Sequence, residues 1–211
     1  MNDTKMRTCL REPVPEIAIA TRYVNDAVTA HLDGNRAEAI RLLKAADLPE
    51  IREWSYSLLG PYTEYTRPIV DPSAPPVIAK DLRTKPRRAS EAMKRDLLLR
   101  YGYRCCFCGT PVIRSAVRIC LISLYPDVLR WKDTKFTENA MLKVMDAQYD
   151  HAVPHARGGQ TVLDNLLLTC GPCNYGRSGF TFGEMRLVDP RTRTLAPTNW
   201  DGLERLLTSP N

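Results

Sequence analysis

Apolar residues recur at helical spacing through the first sixty positions of the chain. Ile17, Ile19, Tyr23, Val24, Ala27, Val28 and Leu32 form one stripe, which opens after Pro15 and ends near Gly34. Asn35 can cap a second helix carrying Ala37, Ile40, Leu42 and Leu43. Pro49 opens a third, with Ile51, Trp54, Leu58 and Leu59, stopped by Gly60 and Pro61. Short amphipathic helices of this kind predict a packed bundle without chemistry of its own, and His31 reads as a surface residue.

The pattern breaks at residue 61. Pro61, Pro68, Pro72, Pro75, Pro76 and Pro86 interrupt any helix, and Pro75–Pro76 favours extended chain, so residues 61–89 read as a basic linker or an arm lying across something. Ser90 then caps a helix running to about Arg100, with Gly102 at its exit. A further helix is expected after Pro111 and another over residues 138–145. Residues 147–151 are short enough for a strand, and residues 154–159 suit its turn. The expected parts are a helical region over residues 1–60, the arm over 61–89, a domain over 90–180 and a helical extension over 181–211.

Composition narrows the class. In 211 residues, 44% are hydrophobic and 26% charged, which excludes wholesale disorder. No apolar run approaches the roughly 20 residues that span a bilayer, so no membrane partner is expected. The N-terminal residues are polar, without the apolar core of a signal peptide, and a cytoplasmic location is expected. The net charge of +6 is unevenly spread. Residues 80–104 hold Lys80, Arg83, Lys85, Arg87, Arg88, Lys94, Arg95, Arg100 and Arg104 against Asp81, Glu91 and Asp96. Such a stripe suits a polyanion, although a solvated helix face has the same composition.

The seven cysteines argue against a disulfide framework, because the number is odd and no secretion signal accompanies it. Four fall into two Cys-x-x-Cys pairs, Cys105/Cys108 and Cys170/Cys173. Two-residue spacing lets both sulfurs of a pair face one ion, and four thiolates suit tetrahedral zinc. Cys106 could stand in for Cys105, but Cys106-x-Cys108 is the poorer spacing.

Between the pairs lie Tyr149-Asp150-His151, Pro154-His155, Arg157-Gly158-Gly159, Asp164-Asn165-Leu166 and finally Cys170-x-x-Cys173-Asn174. In order and spacing these resemble the HNH endonuclease family, in its subgroup stapled by a four-cysteine zinc site and with Asn174 at the final motif position. The resemblance covers about residues 97–180. It implies an α+β fold, a mostly helical chain around a small ββα-metal nuclease core with two zinc knuckles. It further implies that Asp150 and Asn174 bind a catalytic divalent ion, that His151 is the general base and that Asn165 bridges backbone groups of the hairpin loop. The neutral amide of Asn174 favours a hard ion, Mg²⁺ or Mn²⁺, over a second zinc. The implied substrate is DNA, with RNA left open.

His151 and His155 are four apart, as in a helical zinc protease, but no Glu follows His151 and Pro154 opposes a helix, so that reading fails. His155 either lines the substrate groove or is exposed on the loop. Arg157 and Arg177 flank the site as candidate phosphate contacts, with plain surface arginines the alternative. Two rival readings stay open: a non-catalytic zinc-stapled nucleic-acid-binding module, and a nuclease subunit of a larger defence or restriction assembly. In the latter, residues 1–60 would dock a protein partner or a second copy.

Overall fold

The computed structural model describes residues 5–60, 62–131, 138–194 and 198–208. Pro61, read above as part of a helix stop, lies outside them. Helix α1 (Pro15–Leu32) begins at its proline and buries Ile17, Ala20, Val24, Ala27 and Val28 along one face. Its C-terminal turn passes through Gly34 at φ +77°, and Asn35 caps α2 (Arg36–Ala45) by accepting from the Glu38 amide at 3.2 Å. The two helices pack as a hairpin. Helix α3 (Pro49–Ser57) again opens on proline. It buries Trp54 completely, with the indole N–H donating to the Glu12 carbonyl at 2.8 Å.

Helix α4 (Glu91–Tyr101) is capped by Ser90 and ends at Gly102, at φ +57°. Helix α5 (Ser115–Leu124) buries Val117 and Leu121. Helix α6 (Ala140–Met145) is capped by the Asn139 side chain and sits between α3 and α7 (Gly171–Arg177), which accounts for its nearly continuous apolar sequence. Strands β1 (Gln148–His151) and β2 (Leu166–Thr169) pair antiparallel, with His151 opposite Leu166 and Asp150 opposite Leu167. All four β2 residues are buried, because α4 packs against that strand.

Buried side chains from Cys9 to Leu206 form one continuous core. The helices of residues 1–60 therefore spend their apolar faces inside the molecule, and Arg52 reaches the Glu138 carbonyl at 2.8 Å. Two expectations need correction. His31 is half-buried, with Nδ1 2.7 Å from the Tyr125 hydroxyl. Over residues 181–211 the described chain is mostly turns and extended backbone. It holds a 3-10 turn at Pro190–Thr192 and the short helix α8 (Arg205–Thr208), since Pro190 and positive φ at Arg186 and Leu203 break any longer helix. Among the described residues, no helix is long and apolar enough to cross a membrane.

Candidate functional site

The first cysteine pair lies in a tight turn, closed by Gly109 N–H to the Cys105 carbonyl and Cys105 N–H to the Thr110 carbonyl, both at 2.9 Å. The turn is fastened to the sheet, since the Cys106 amide donates to the Leu168 carbonyl at 2.9 Å. The second pair spans the start of α7, where Cys170 is the N-cap. Gly171 allows this helix to approach α6, because a Cβ there would stand 2.5 Å from the Lys143 carbonyl oxygen. The sulfurs of Cys105, Cys108, Cys170 and Cys173 lie within 4.8 Å of one another, a set that could hold a metal ion and is compatible with zinc. Burial opposes ionisation of Cys105, but hydrogen bonds from the three neighbouring thiols overcome it and pull its pKa well below the usual value. Cys106 is buried outside this cluster, its thiol pushed up by burial, so the sulfur cluster contains Cys105 and not its neighbour.

The loop joining β1 to β2 is held by Asn165. Its Oδ1 accepts from the Val153 amide at 2.8 Å, and its Nδ2 donates to the carbonyls of Val153 at 3.2 Å and Gln160 at 2.9 Å. Gly159 makes this possible: a Cβ there would lie 1.8 Å from the Val153 oxygen and 2.9 Å from Asn165 Nδ2. One amide side chain thus stands in for a missing turn of backbone pairing.

Asp150 and His151 from β1, His155 from the loop and Asn174 from α7 line one cleft of about 300 Å³, which Arg83 and Arg87 also line. Asp150 is fixed at both oxygens: Oδ2 accepts from Arg177 Nε at 2.8 Å and Nη2 at 2.6 Å, and Oδ1 from the His151 amide at 2.8 Å. Burial raises the pKa of this carboxyl and the Arg177 charge opposes the rise. His151 is 7% exposed, and its Nε2 lies 2.9 Å from Thr161 Oγ1. Burial, reinforced by the positive groups around it, pushes its pKa down to about 4, so the imidazole is neutral near pH 7. His155 Nε2 sits 2.7 Å from the Thr84 carbonyl. A carbonyl only accepts, so this nitrogen carries a proton, and Nδ1 is buried without a hydrogen-bond partner among the described residues. The two imidazole centroids are 5.5 Å apart.

Both flanking arginines are turned inward. Arg177 is wholly buried and donates also to the carbonyls of His151 at 2.5 Å and Phe180 at 2.9 Å, so it is neither a surface residue nor placed to touch a phosphate. Arg157 pairs with Glu184 at 2.7 Å, donates to the Gly179 carbonyl at 3.1 Å, and reaches the Pro75 carbonyl with its remaining nitrogen. Its guanidinium is occupied by protein, which removes it as a phosphate ligand. Sequence reasoning also missed Thr161 and Thr84. Thr161 carries no pattern that sets it apart, and Thr84 acts through its carbonyl, which no side-chain motif reports.

The Asp150–Arg177 pair yields a measurable cost. Arg177→Met keeps the volume but leaves a buried carboxylate unpaired, and urea unfolding is expected to show a loss of about 3–5 kcal/mol. Adding Asp150→Asn should recover part of that loss, whereas independent effects would simply add.

Comparison with known proteins agrees with this geometry. The family model described as HNH endonuclease matches residues 135–178, which contain β1, the pinned loop, β2 and α7. No curated protein and no solved structure matches the chain. The chain thus carries an HNH endonuclease domain over residues 135–178, a match that suggests a nucleic-acid substrate.

Proposed function

We propose that this protein is a metal-dependent endonuclease that hydrolyses DNA phosphodiester bonds, with zinc in the four-cysteine site and Mg²⁺ or Mn²⁺ at Asp150 and Asn174. One observation carries the reading: Asp150, His151 and Asn174, from a strand and a helix, face a single cleft inside the HNH match. A binding module would have no need of that convergence. The donors fit a hard ion. Asp150 is oriented by Arg177, and the Asn174 side chain makes no hydrogen bond among the described residues, which leaves its carbonyl oxygen available. Magnesium commonly takes only one or two protein ligands and completes its sphere with water and phosphate oxygens. When bound, such an ion supplies Lewis-acid stabilisation of the phosphate and the leaving oxygen.

The chain's own residues do the rest. Neutral His151 accepts a proton from the attacking water as its oxygen bonds to phosphorus, while Thr161 fixes the orientation of the ring. The P–O3′ bond breaks, leaving a 5′-phosphate and, once the leaving oxygen takes a proton, a 3′-hydroxyl. Asn165 acts indirectly, by holding the loop that follows His151. Any protein partner of residues 1–60 would have to use their exposed positions, because the apolar faces of α1, α2 and α3 lie in the core.

Two measurements test this. Elemental analysis should find about one zinc per chain. Cys170→Ser should lose the metal and aggregate, whereas Cys9→Ser and Cys106→Ala, outside the sulfur cluster, should keep it. A folded wild type without zinc would contradict the assignment. With supercoiled plasmid and Mg²⁺ or Mn²⁺, His151→Ala should stay folded and zinc-loaded while cleavage falls roughly 10²–10⁴-fold, the worth of a positioned base. Asp150→Asn and Asn174→Ala should be partly restored by excess divalent ion, and His151→Ala should not. Wild-type cleavage by His151→Ala would move the base to another residue.

A further inference from the structure

The proline-rich arm is part of the cleft. Ile69 N–H donates to the Glu184 carbonyl and Ile78 N–H to the Ala156 carbonyl, each at 2.8 Å. The Pro75 carbonyl takes Arg157, and the Thr84 carbonyl takes His155. Ile78 also occupies the space left by Gly158, where a Cβ would meet its Cδ1 at 2.9 Å. These contacts fasten the arm across the β1–β2 loop and bring Arg83 and Arg87 to the wall of the cleft that holds Asp150, His151 and Asn174.

Of the basic stripe, Arg83 and Arg87 are the cations that line this cleft, and both keep guanidinium nitrogens free of protein partners among the described residues. Lys94 is paired with Glu91, Arg104 donates to the Gly109 carbonyl, and Arg100 reaches towards the Leu163 carbonyl. Arg83 uses only Nε, on the Ile78 carbonyl at 3.0 Å, which fixes the side chain and leaves both terminal nitrogens without a hydrogen bond among the described residues. Arg87 is exposed and makes no hydrogen bond or ion pair among the described residues. Among the described residues, Asp150 is the only acidic one lining the cleft, and Arg177 already balances it. Two uncommitted guanidinium groups beside a neutralised carboxylate make a site for an anion, and a planar fork suits phosphate oxygens.

We propose that Arg83 and Arg87 grip the backbone phosphates of the nucleic acid entering the cleft, so that the arm is a substrate-binding element of the nuclease site. This rests on the nuclease reading but is tested separately from it. Binding of the full-length chain to a short fluorescein-labelled DNA duplex, followed by anisotropy without added Mg²⁺ or Mn²⁺, gives the slope of log affinity against log salt. Arg83→Gln and Arg87→Gln should each make that slope shallower by about 0.9, the contribution of one phosphate contact. Lys44→Gln, an equal charge loss on α2, which does not line the cleft, should leave it unchanged. In the cleavage assay the two arm variants should lose about tenfold or more in kcat/KM, the worth of one charged hydrogen bond, with Arg87→Lys retaining most of it. Arg87 has no hydrogen bond or ion pair among the described residues to lose, so its variant reports substrate binding without a folding effect. Slopes equal to wild type, or an equal change in Lys44→Gln, would overturn the proposal even if the protein cuts DNA. A wild type that cuts nothing with any divalent ion, yet shows the predicted slopes, would overturn the nuclease reading and leave the phosphate grip standing.

Discussion

Four sulfur atoms drawn within 4.8 Å of one another close the chain on itself, joining turns about sixty residues apart. The domain's sheet has only two strands of four residues, a size that is marginal in water without support. Support comes from both sides of the cysteine cluster. The first turn bonds to β2 through the Cys106 amide, and the second is the start of α7. Asp150 on β1 and Asn174 on α7 therefore take their relative positions from where the cluster holds the two turns. A metal bound there would act on the site through position alone, by closing a long loop and fixing two short elements.

A second constraint is the charge inside this small core. A wholly buried arginine would be costly alone, and so would the carboxylate it meets. Together, and with the backbone carbonyls of His151 and Phe180, their polar atoms are satisfied. The pair turns a buried liability into orientation, because Asp150 has little freedom left beside the cleft. Burial then keeps His151 neutral, and Thr161 and Asn165 hold the ring and its loop. The polar groups of the site are positioned by one another as much as by the backbone.

Features written in adjacent residues were legible in the sequence. Asn35, Ser90, Gly102 and the prolines at 15 and 49 set helix ends through local hydrogen bonding and φ preferences, and the structure places caps or termini at each. The two cysteine pairs were legible because metal spacing is a local property. The directions of Arg157 and Arg177 were not, since each is decided by partners that come together only in the fold: Pro75 and Glu184 for one, Asp150 for the other. The arm's destination was hidden for the same reason, its contacts being largely main-chain carbonyls and amides. Charge counting found the basic stripe, but only the fold separates Arg83 and Arg87, which line the cleft, from the rest of it.

Hydrogen exchange on the purified protein before and after treatment with a strong chelator tests the central dependence most directly. If a metal in the cysteine cluster sets the site, the amides of β2 and α7 lose protection when it is removed, together with the proposed cleavage activity, while those of the α1–α2 hairpin keep theirs. Unchanged protection in β2 and α7 after the metal has left would show that the sheet and helix hold their places without it, and would contradict the account.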